Sequence, residues 1–137
     1  MMSVLARLAL GAIIGLFAGA PGAWATGEIA CRGIEDEEVR VSLGFGTLPV
    51  LSVISARIET PDGAYQLRGG EDATEIRFGD GAFLQDGLIA RFTDDIINEV
   101  IAELRIVNME DGRDLASVGL LRLPNEGAVY ALICEGP

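Results

Sequence analysis

The side chains that run most hydrolytic and transfer chemistry are missing from these 137 residues. There is no histidine, and all ten Lys+Arg residues are arginine. Without imidazole there is no Ser-His-Asp or Cys-His pair, and none of the usual zinc, copper or haem ligation by histidine. Without lysine there is no Schiff base, no Ser-Lys dyad and no Walker-type phosphate clamp. Two cysteines, Cys31 and Cys134, and 21 Asp+Glu remain. The carboxylates leave glycoside hydrolysis formally open, since that reaction needs only an acid and a base across a sugar. A sugar cleft normally carries stacking aromatics. Here Trp24 is the single tryptophan, and Tyr65 and Phe92 fall on apolar strand faces, where they are expected to serve as core.

Calcium is the one metal ion whose oxygen ligands are plentiful. Asp80, Asp86, Asp94 and Asp95 crowd one region, and Glu110, Asp111 and Asp114 bracket a later turn. None of these matches an EF-hand loop or a calcium-binding nonapeptide. Asp and Gly are frequent in β-turns because they accept left-handed geometry and bond their own backbone. Turn chemistry therefore accounts for these acids, and no metal and no cofactor is assigned.

The segment that sets the fate of the two thiols is the N-terminus. Arg7 precedes an uncharged apolar run over residues 8–20, followed by Pro21, Gly22 and the small-residue pattern Ala23-Trp24-Ala25. That order of charge, apolar segment, helix breaker and cleavage site is a secretory signal peptide, and it predicts a mature chain beginning at Thr26. The run is too short for a spanning helix, which needs about 18 or more apolar residues. Removal of residues 1–25 leaves 112 residues and takes the formal charge from −11 to −12, because only Arg7 is lost. Periplasm or medium is oxidising, so Cys31 and Cys134, near the two ends of the mature chain, are expected to form a disulfide.

The rest of the chain alternates in twos. Val39, Val41, Leu43 and Phe45 face one way and Arg40, Ser42 and Gly44 the other. Ile54, Ala56 and Ile58, the turn residues Pro61-Asp62-Gly63, then Tyr65 and Leu67 read as a hairpin. Further turn signals stand at Gly79-Asp80-Gly81, Gln85-Asp86-Gly87, Glu110-Asp111-Gly112 and Pro124-Asn125-Glu126-Gly127. The last two strands are expected over residues 115–123 and 127–134. Residues 95–105 fit either an amphipathic helix or a strand. Their β-branched density favours a turn over 94–98 and a strand over 99–109. The expected architecture is all-β: one small antiparallel sandwich or partly closed barrel of about eight strands over residues 26–137. Arg40, Arg57, Arg68, Arg77, Arg91, Arg105 and Arg122 are expected on outward strand faces beside acids. Exposed edge strands would offer a route to dimers.

Acids outnumber basic residues two to one, which argues against nucleic acid as a partner. The run Glu35, Asp36, Glu37, Glu38 is expected as a solvated turn and as a candidate docking patch for a cationic protein or peptide. In size, export, single disulfide and acidity the chain resembles the small periplasmic β-barrel inhibitors of lysozyme, which block a basic enzyme. The shared segment Gly63-Ala64-Tyr65 is too short to carry residues over. The functional expectation is a non-catalytic exported binding protein. The alternatives are a carboxylate-dependent hydrolase of envelope glycans and an envelope component without enzymatic activity.

Overall fold

A computed structural model describes residues 27–136; the signal segment expected over residues 1–25, and Ala23, Ala25 and Thr26 at its expected cleavage point, lie outside them. Nine strands follow in order: β1 (Gly27–Gly33), β2 (Arg40–Phe45), β3 (Val53–Thr60), β4 (Gly63–Leu67), β5 (Thr74–Leu84), β6 (Gly87–Thr93), β7 (Val100–Asp111), β8 (Asp114–Leu123) and β9 (Ala128–Glu135). Each pairs with its chain neighbours, and β9 pairs back onto β1 to close a barrel. Closure removes the free edges through which the sequence suggested pairing, because every strand has a partner on both sides. The ambiguous stretch is resolved as strand β7, preceded by the turn that the sequence predicts.

Period-two alternation is what fills the interior. Val41, Leu43, Ile58, Ile76, Phe92, Leu104, Ile106, Leu121 and Leu132 point inward and are all but sealed from solvent. A barrel of this size is a packed core and not a channel. Val39 from the loop before β2 and Leu51 from the loop before β3 are buried with them. Cys31 and Cys134 are directly opposed across the β1–β9 seam and bonded, with Cα atoms 4.1 Å apart. The bridge closes a span of 103 residues, for which chain-entropy reasoning gives about 4.7 kcal/mol.

Two local readings are corrected. Gly79-Asp80-Gly81 does not turn the chain; it lies inside β5, where the register shifts between Phe78 and Asp80 in a β-bulge. A Cβ on Gly79 would stand 2.7 Å from Thr93 Cγ2, and one on Gly81 2.5 Å from Ile89 O. These glycines are there because β6 comes too close for a side chain. The sheet is also not wholly antiparallel, since β4 and β5 run parallel. Their connection is only residues 68–73, far shorter than the dozen or more residues of an ordinary parallel crossover. Consecutive left-handed residues, Arg68 at φ 67° and Gly69 at φ 73°, reverse the chain at once. Arg57 then ties the connection down: Nε donates to Glu59 at 2.8 Å, one terminal nitrogen to Gln66 Oε1 at 2.6 Å and the other to Asp72 at 3.1 Å.

Candidate functional site

Apart from residues 68–73, which return along the barrel between the parallel strands β4 and β5, the loops fall alternately at its opposite ends. One end gathers the loops 34–39, 61–62 and 94–99 together with a 3-10 turn, Pro124–Glu126. Their sequences hold Glu35, Asp36, Glu37, Glu38, Asp62, Asp94, Asp95, Glu99 and Glu126, nine of the chain's 21 acids, and not one arginine. The loops at the opposite end, 46–52, 85–86 and 112–113, carry only Asp86 and Arg113. The predicted patch over residues 35–38 thus supplies four of the nine acids of a larger anionic end, to which segments as distant in sequence as Glu126 contribute. Their separation in sequence hid this grouping.

Two of these loops are shaped by their own acids. Asp36 Oδ1 accepts the Glu38 amide at 2.9 Å, and the Asp36 carbonyl accepts the Val39 amide at 3.1 Å, turning the chain so that Val39 enters the core. Asp94 Oδ1 accepts the amides of Asn98 at 2.7 Å and Glu99 at 3.4 Å, and this clamp bends 94–99 into a tight loop. Its tip exposes Ile96 and Ile97 at 73% and 67% among the acids. Ile97 sits at φ 57°, a conformation that a β-branched residue adopts only under constraint.

Tyr65 and Tyr130 stand at the mouth on inward-facing positions, packed against the core. The Tyr65 hydroxyl donates to Glu126 Oε1 at 2.6 Å, while Thr60 Oγ1 lies 3.5 Å from the same oxygen. Glu126 Oε2 is buried without a partner among the described residues. Burial, the hydrogen bond to Glu126 and the charges of Glu126 and Asp62 push Tyr65 up to about 12. Tyr130 is raised by burial and by the charges of Glu126, Asp62 and Asp36. The two phenols therefore report a field built by carboxylates from three separate loops.

The arginines are less evenly paired than expected. Arg57, Arg91, Arg105 and Arg122 make ion pairs, whereas Arg40, Arg68 and Arg77 make none among the described residues, and Arg68 sits in the turn after β4. Sequence reading missed one centre altogether. Glu103 on β7, with a side chain only 9% exposed, receives Arg91 Nε at 3.0 Å, Arg105 Nε at 2.8 Å and Arg122 at 3.2 Å. Burial raises its pKa, but the hydrogen bonds from Arg91 and Arg105 and the charges of Arg105 and Arg122 outweigh that and hold it below the usual carboxylate range. This constellation fastens β6, β7 and β8 together on the outer face and stays ionised. Among the described residues, no three or more His, Cys, Asp or Glu side chains come together as a metal site, and no helix is long and apolar enough to cross a membrane. Neither known protein families, nor curated proteins, nor solved structures give a match to this chain.

Proposed function

We propose that this chain is an exported, non-catalytic binding protein that docks a cationic protein or peptide on the acidic end of its barrel. The observation that carries the reading is the partition of charge: nine loop acids and no loop arginine at one end. A one-signed surface on a rigid frame accelerates encounter with a positive partner and repels anionic surfaces. Ile96 and Ile97, exposed on one of those loops between Asp95 and Glu99, supply the apolar contact that long-range attraction lacks. Export is supported by the leader pattern and by the bridge between Cys31 and Cys134, a bond that lasts in oxidising compartments.

The test is capture of basic proteins from a periplasmic or host-fluid extract by the chain beginning at Thr26, at low salt and at two pH values. Capture of a basic protein is expected, with association slowed roughly tenfold or more when Glu35, Glu37 and Glu38 are changed to Gln together. Recovery of no cationic protein, or association indifferent to that substitution, overturns the reading.

A further inference from the structure

On the side of the barrel, the outward residues of β7, β8 and β9 make an apolar face. Val118 lies opposite Val107 on β7 and Ile133 on β9, flanked by Leu120, Val129 and Met109. These six side chains are between 40% and 74% exposed. A shallow groove of about 380 Å³ over Gly119 is lined by three of them, Val107, Val118 and Leu120, together with Ile34, Arg105 and Ala131. Scattered exposed apolar residues are ordinary, whereas a contiguous block in a strongly charged chain marks a contact surface.

The charges around this block identify what covers it. Arg105 and Arg122 border it toward the acidic end, while Asp111 and Asp114, paired with each other at the hairpin, border it toward the opposite end. We propose that this face binds the same face of a second copy of the chain, in an antiparallel two-fold dimer. The axis would lie between the two faces, run across the strands and pass over Val118. Such an axis turns β8 end for end, so residues equally spaced on either side of Val118 meet. Leu120 then covers Ala116 of the second copy, and Arg122 comes over its Asp114, in both directions. On β7, Arg105 comes over Met109 of the second copy, one outward position from its Asp111, whose carboxylate faces Glu103 beneath the guanidiniums of Arg105 and Arg122. A parallel arrangement would set arginine on arginine and aspartate on aspartate. The antiparallel one also points the two acidic ends away from each other, which a protein of this charge requires for self-association.

Three strands at about 4.8 Å spacing over nine residues of β8 give a face of roughly 15 by 27 Å, about 400 Å² per copy and so below the standard size of specific interfaces, in the range of weak and transient contacts. The dimer is therefore a weak one, and it does not depend on the proposed partner at the acidic end. The strands close without any residue before Gly27, so the chain from Thr26 onward is the material to test. Sedimentation velocity from about 5 µM to about 500 µM should show a concentration-dependent monomer–dimer equilibrium. Val118→Arg, on an exposed outward position, should leave a monomer with an unchanged melt and an intact disulfide. Asp114→Arg, which leaves the Glu103 constellation untouched, should weaken dimerisation roughly tenfold, counting both symmetry-related pairs. A monomer throughout the concentration range overturns the proposal. So does a dimer that survives Val118→Arg, or one indifferent to Asp114→Arg.

Discussion

At the scale of single residues, the mouth of the barrel offers an unusually clean measurement. The chain has no lysine and two tyrosines, and its cysteines are bridged, so Tyr65 and Tyr130 are the only side chains titrating between about pH 9 and 12. Alkaline difference spectra should show both phenols ionising above 10, with Tyr65 near 12, and Tyr65→Phe should remove the later step. Because the folded-state pKa is raised, the associated stability is complete below pH 10. It is lost as pH rises toward about 12, where the unfolded chain ionises first. Two phenols titrating together at 10 would mean that the carboxylates of three loops do not converge on them. None of this convergence is readable in the sequence, since Tyr65 and Glu126 are 61 positions apart. The arginine ring around Glu103 was hidden for the same reason, because its donors come from three strands whose relative register appears only after folding.

At the scale of elements, what the sequence declares is whatever depends on local periodicity. Alternation marks β2, β3 and β6 and their inward residues, and the short intervals between turns leave room for little but strands. Asp94 was legible as the start of a turn because its side chain does the turning. Gly79-Asp80-Gly81 was misleading because glycine serves a bulge as readily as a turn, and only the nearness of Thr93 and Ile89 separates the two. The parallel β4–β5 pair was illegible because nothing in residues 68–73 announces that Arg57 will hold them. The pairing of Cys31 with Cys134 was legible by counting, and its position gives it a specific task. It lies in the β1–β9 seam, the pairing that closes the barrel, where four residues of each strand are in register, from Ala30–Glu135 to Gly33–Leu132. Replacing both cysteines by serine should lower unfolding free energy by about 2–4 kcal/mol in urea melts. Exchange protection should fall first along β1 and β9. Loss spread evenly over all nine strands would show that the seam is not the weak point.

At the scale of the whole molecule, the partition of charge sets stability against binding. Carboxylates gathered on four loops at one end of the barrel repel one another, over a range set by the Debye length, about 10 Å at 0.1 M salt. The Glu103 constellation is screened much less, because its carboxylate lies beneath three guanidiniums. Raising NaCl from about 10 mM to about 500 mM should therefore raise the melting temperature by a few degrees, where a fold held mainly by surface ion pairs would lose stability. Replacing Glu35, Glu37 and Glu38 by Gln should reproduce most of that gain at low salt and abolish most of its salt dependence. All three are solvent-exposed, and the turn is held by Asp36, which the substitution leaves in place. The same variant is the one expected to bind its cationic partner slowly. A surface kept for docking at the expense of stability gives opposite signs in the two measurements, tighter folding with weaker binding. If the variant melts lower than the parent, the loop acids support the barrel instead of straining it, and the acidic end needs no partner to account for it.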